Sequence, residues 1–227
     1  MQDSLTPSPA QSRRDLVMSL GLGLVVFGAQ ARGLTVDGRL TGDQVRRLLP
    51  AGLVGAIGGE LVASVMHLAQ GRWAYASAAL VRQLVEIEYL AWAVTNDPDD
   101  AWEWFKSDRR TRLQRWQPGK IRERSDGRFP NKDYHDHCEI GGHPVPEPAM
   151  NVLDHRDEWV EVTLYETVLH GVATWHYLLC ALEGIDPISE VERHHRLIDR
   201  AYEAWRRTET MDSGLRSKTA ISDVNPR

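Results

Sequence analysis

The chain has 227 residues, of which 42% are apolar, and carries a formal net charge of −5. That is enough apolar material for one sizeable core, and with only two cysteines, Cys138 and Cys180, it excludes a disulfide-stapled scaffold and fits a reducing cytoplasm. The charge is polarised: Lys106 to Lys132 holds ten Lys/Arg against three Asp/Glu, a surplus of +7 that leaves −12 on the rest. Such a basic stretch can attract phosphate or RNA, or can be a solvated face neutralised by acidic neighbours.

Residues 1–11 read as a disordered leader, 12–208 as a single helical domain and 209–227 as a polar, disordered tail. Ser12-Arg13-Arg14-Asp15-Leu16 precedes an apolar run to Ala29, followed by Ala29-Gln30-Ala31, which resembles a twin-arginine export signal. The alternative is a first bundle helix with Leu16, Leu20, Leu24 and Phe27 on one stripe. The helix is the preferred reading, because the cysteines point inside the cell, and the run is too short and glycine-rich for a membrane span. No membrane association is expected.

Beyond this the periodicity is helical almost throughout. A short helix from Gly42 to Leu49 ends at Pro50, and a longer one runs from Leu53 to Ala69 with Gly71 as its stop. Trp73 to Val94 follows, closed by Asn96-Asp97-Pro98, then an amphipathic piece from Asp99 carrying Trp102 and Phe105. Gln117 to Pro130, with two prolines and two glycines, reads as mostly loop. Helices over Val152–Leu182 and Ile188–Trp205 complete the chain. With no strand-length alternation, heptad or internal repeat, the fold class is all-α, a bundle of five to seven helices with a long irregular region between the central ones.

Three central helices are apolar on nearly every face, so their polar residues stand out. Glu60, Ser64 and His67 form one stripe; Arg82 and Glu86 sit one turn apart; Thr163, Glu166, His170, Thr174 and Tyr177 form another. Arginine before glutamate is the weaker order for an exposed helical pair, so reinforcement of the helix explains the second group poorly. These stripes are either a buried network that fixes helix register or the lining of an internal polar pocket, with Arg82 as a fixed fork for a carboxylate or phosphate.

The densest chemistry lies in Tyr134-His135-Asp136-His137-Cys138-Glu139-Ile140-Gly141-Gly142-His143-Pro144. A zinc site would take Cys138, His143 and two of His135, His137 and Glu139, but the paired Cys-x2-Cys or His-x3-His spacing is missing. A di-iron bundle site needs Glu-x-x-His twice, and only Glu192-Arg193-His194-His195 supplies it. No metal or other cofactor is therefore assigned. Arg128 and His135, separated by six residues, resemble the Arg-x4–6-His motif of HEPN-type ribonucleases, in which arginine binds the scissile phosphate and histidine transfers a proton, although Pro130 interrupts the interval. His143 also fits a structural role in a tight Gly-Gly-His-Pro turn. No DNA groove-reading motif is present.

The Arg-x3-Glu pair in a helix ending in aromatics, Arg82 to Trp92, followed by Tyr-x3-(Ser/Cys)-x4-His-Pro at Tyr134, Cys138, His143 and Pro144, resembles a group of uncharacterised bacterial all-helical proteins. These are distantly similar to the HEPN and abortive-infection families. The resemblance covers residues 50–185 and implies a helical fold in which the Arg/Glu pair meets the Tyr…His-Pro loop. It implies no activity, and the chain lacks a clean HEPN catalytic motif. The expectation is a cytoplasmic binding or regulatory protein with a polar pocket formed by Arg82, Glu86, Tyr134 and His143, flanked by Glu60, His67, Cys138, Glu166 and His170. Its occupant would be a small anion or a partner segment. The alternatives are an RNA-cleaving defence effector and a non-catalytic homodimeric scaffold.

Overall fold

A serine cap followed by proline starts the first helix, α1 (Pro9–Val36): Ser8 Oγ accepts from the Gln11 amide at 3.2 Å. In this computed structural model residues 7–142 and 145–210 are described. Leu16, Leu20, Leu24 and Phe27 are fully buried, as a core helix requires. Arg13 is also buried. Its guanidinium pairs with Glu209 at 2.9 Å and with Glu161 at 2.6 Å, while Arg14 also reaches Glu161. The double arginine thus ties α1 to two distant parts of the chain. The helix begins inside the stretch read as leader, and Glu209, read as the start of the tail, is buried; residues 211–227 lie outside the described residues.

Helix α2 (Gly42–Gln70) opens with a reciprocal capping box between Thr41 and Gln44. It runs unbroken through Pro50, where two helices were expected. A mid-helix proline costs about 3 kcal/mol. Burial of Leu48, Ala51, Val54 and Val62 offsets that cost, because α2 packs on α1, α3 and α9. The two helices approach closely through small residues. A Cβ at Gly28 would lie 2.8 Å from the Ala56 nitrogen and the Gly52 oxygen, and one at Gly59 would lie 2.8 Å from the Val25 nitrogen.

Helix α3 (Ala74–Asn96) leads into four short helices: α4 (Pro98–Lys106), α5 (Arg109–Arg115), α6 (Pro118–Arg124) and α7 (Asn131–His137). A π-helical turn (Cys138–Gly142) follows, then α8 (Pro146–Asp154), α9 (Arg156–Cys180) and α10 (Ser189–Thr208). The described residues therefore hold ten α-helices and no strand, which keeps the all-α class and corrects the count of five to seven. The excess comes mainly from prolines and aspartates that read as loop markers but act as helix starts. Asp97 caps α4, Asp108 caps α5, and Pro118 opens α6 inside the stretch read as loop. A break at His155 also divides the helix expected over Val152–Leu182.

Helix α9 lies against α1, α2 and α3, with Val168, Val172, Trp175 and Leu178 in the main core, and α10 closes the bundle on α1. A smaller core forms on the other side of α3, where Val85, Tyr89 and Ala93 meet Trp116, Ile121 and Phe129. Through it α6 and α7 dock onto α3, while α4 packs on α2 and α3. Met18, Leu22 and Val25 of α1 and Leu53 and Ile57 of α2 remain exposed. Replacing Gly28 by leucine should drive two backbones apart and cost about 3 kcal/mol, a fall in Tm of about 6–12 °C. Gly33→Ala, in the same helix with nothing within 4 Å of the new methyl, should stabilise by about 0.5–1 kcal/mol in a denaturant titration.

Candidate functional site

The α7 segment brings Tyr134 onto α3. Arg82 Nη2 donates to Tyr134 Oη at 3.2 Å, Tyr134 Oη donates to Glu86 Oε1 at 3.1 Å, and Arg82 Nη2 pairs with Glu86 Oε1 at 2.7 Å. Arg82 Nε donates to Cys138 Sγ at 3.4 Å. The unfavourable order of the arginine and glutamate on their helix is thus explained by a third partner, the phenol that bridges them. The side chains of Arg82 and Glu86 keep 30% and 31% of their exposure, so this site is half-buried and open to solvent.

Burial opposes the Arg82 charge, but the hydrogen bonds to Cys138 and Tyr134 and the charge of Glu86 outweigh it and hold the guanidinium protonated. Burial, assisted by Glu86, raises the Tyr134 phenol above its ordinary value despite Arg82, so it stays a neutral hydroxyl able to accept and donate. The Tyr134 ring carries a second arginine: the Arg122 guanidinium lies 4.3 Å from its centroid. Arg122 Nε and Nη1 are buried without a hydrogen-bond partner.

One turn after Tyr134 the same segment turns towards α9. His137 Nε2 lies 3.5 Å from Glu166 Oε2, and His170 Nε2 lies 3.6 Å from the same oxygen. His170 Nδ1 is 2.6 Å from Glu88 Oε2 on α3. Burial works against both charges of this cluster. The two imidazoles, 3.5 and 3.6 Å away, nevertheless hold the Glu166 carboxyl below its ordinary range, and Glu166 and Glu88 raise the proton affinity of His170. Tyr177, one of the α9 stripe, accepts from Arg128 at 3.4 Å, and its phenol is pushed up by burial and by Glu88.

Several expectations change. Glu60 and His67 lie on the exposed face of α2, and neither takes part in the bonds and ion pairs that join the cluster. The apolar character of α2 misled here, because its buried side is set by small residues packed on α1. Thr163 and Thr167 bond back to carbonyls one turn earlier on α9, at 2.7 Å, rather than lining a site. His135 is exposed, and His143 and Pro144 lie outside the described residues. Glu88 and Arg122 were missed. Glu88 follows Glu86 by two residues, which points it about 200° away around α3 and towards α9; Arg122 was hidden in the presumed loop.

Neither the family models, nor the curated proteins, nor the solved structures yield a match to this chain, so the geometry alone carries the functional reading. Tyr134→Phe keeps the ring on Arg122 and Tyr89 but removes both bonds of the hydroxyl. It should cost about 1–2 kcal/mol in urea unfolding, whereas Tyr134→Ala, which also empties the smaller core, should cost about 3–5 kcal/mol.

Proposed function

We propose that the protein is a cytoplasmic helical binding or regulatory module whose half-buried polar site, formed by Arg82, Glu86, Tyr134 and Arg122, holds a small anion such as a carboxylate or phosphate. One observation carries this reading: Arg122 presents two buried guanidinium nitrogens without partners beside a tyrosine already bonded to Arg82. Buried donors of that kind are costly unless something accepts from them, and an anion supplies the strongest acceptors. Glu86 orients Arg82 rather than competing for the ligand. Cytoplasmic placement is supported by the free cysteines and by the use of Arg13 and Leu16 in the core.

An RNA-cleaving role is the second reading, in line with the HEPN resemblance. Arg109, Arg110 and Arg112 are exposed along α5, and Arg128 and His135 are exposed on either side of Pro130. Against it, part of the basic segment is neutralised: Arg124 pairs with Asp100 at 2.6 Å, and Arg115 pairs with both Asp100 and Glu103. For homodimerisation, the exposed Met18, Leu22 and Val25 of α1 are the supporting feature.

The test is thermal unfolding in the presence of inorganic phosphate, simple dicarboxylates and nucleotides. A ligand at about 100 times its Kd should add about 2.7 kcal/mol, a rise in Tm of about 5–10 °C, and Arg122→Ala should lose that rise while remaining folded. An undiminished rise in Arg122→Ala and Arg82→Gln would refute the site. RNA cleavage by the wild type that disappears in Arg128→Ala would favour the second reading.

A further inference from the structure

The geometry points to a divalent transition-metal site made by His137 Nε2, Glu166 Oε2 and His170 Nε2, with zinc or an ion of similar preference as its occupant. These three atoms lie within 4.8 Å of one another. Two of the three separations, 3.5 and 3.6 Å, are close to the ~3.3 Å edge of a tetrahedron with metal–ligand bonds of about 2.0–2.1 Å. The third, between the two imidazoles, is no more than 4.8 Å. Two histidines and one glutamate are a known three-ligand set for zinc sites that keep a fourth position open for water or a ligand.

A second observation is independent of this spacing. The His170 side chain is only 9% exposed, yet its Nε2 is buried without a hydrogen-bond partner and lies within 4.8 Å of the other two ligand atoms. Its other nitrogen, Nδ1, is held by Glu88 at 2.6 Å. That is the carboxylate–histidine–metal arrangement, in which the outer carboxylate takes the Nδ1 proton's hydrogen bond, fixes the tautomer and leaves the Nε2 lone pair for the ion. Charge balance agrees. Glu88 and Glu166 bring two negative charges into a largely buried site, and a dication neutralises both.

The local structure explains how the ligands meet. Glu166 and His170 are one turn apart on α9, so a single helix face presents both. His137 is the last residue of α7, immediately before the π-helical turn. The zinc set considered from the sequence, centred on Cys138 and His143, drew every ligand from one segment; here only His137 comes from it. Cys138 instead faces Arg82.

This inference uses none of Arg82, Arg122 or Tyr134, so it stands or falls separately from the anion site. The rival account is a metal-free ion network in which a proton on His170 does the work of the cation. The full-length chain, stripped with a chelator, is dialysed against cobalt(II) and then zinc(II), with visible spectra, elemental analysis and Tm as readouts. We expect about one equivalent of cobalt with the d–d bands of tetrahedral coordination, displacement by zinc and a higher Tm. His137→Ala and Glu166→Gln should lose the bands and the gain in Tm. Glu88→Gln retains all three ligands and should bind about 10–100-fold more weakly, which separates loss of metal from loss of fold. Uptake below about a tenth of an equivalent by the wild type, or bands unchanged in His137→Ala and Glu166→Gln, would overturn the assignment.

Discussion

The hydroxyl of Tyr134, held between Arg82 and Glu86, is the contact on which the rest of the site depends. Helices α5, α6 and α7 have seven residues each, too few to be stable alone in water. Helices α6 and α7 are ordered by what is buried against α3, namely Ile121, Phe129 and the Tyr134 ring, while α5 rests on α6 and is followed by the buried Trp116. The polar bonds of Tyr134 then fix the register of that docking. A shift of one residue along α7 would turn the phenol away and place an imidazole or carboxylate against Arg82. With Tyr134 fixed, His137 is carried one turn further to Glu166 on α9.

Helix α3 therefore serves two neighbours with two differently directed carboxylates. Glu86 faces the docked segment and keeps Arg82 in place, while Glu88 faces α9 and binds His170. Both pairs would be costly if left incomplete in a low-dielectric setting. Behind them the frame is stiff. The close glycine contacts between α1 and α2, and the buried Arg13 with its two glutamates, fix the helices on which α9 rests. A rigid bundle carrying a short, polar, docked segment is a suitable arrangement for holding a ligand in defined geometry.

The all-α class and the long helices were legible in the sequence because their periodicity is set by burial: Leu16, Leu20, Leu24 and Phe27 on α1, and Val168, Val172 and Trp175 on α9. The contact of Arg82 and Glu86 with Tyr134, expected from the resemblance carried by the Arg-x3-Glu and Tyr-x3-(Ser/Cys)-x4-His-Pro motifs, is present in the structure. What was not readable arose from packing across the fold. Pro50 looked like a stop, yet tertiary burial carries α2 through it. Glu60 and His67 looked buried, yet α2 turns its small residues inward and these outward. The meeting of His137 with Glu166 and His170 joins residues about thirty apart in the chain through the register of α7 on α3, which no local spacing encodes.

Amide hydrogen exchange over residues 131–142 tests the docked segment most directly. Protection in the wild-type protein, lowered at least about tenfold by Tyr134→Ala while α1 and α2 are unchanged, is the result this account predicts. Exchange at the rate of an unprotected peptide in the wild type, or protection that Tyr134→Ala leaves intact, would contradict it.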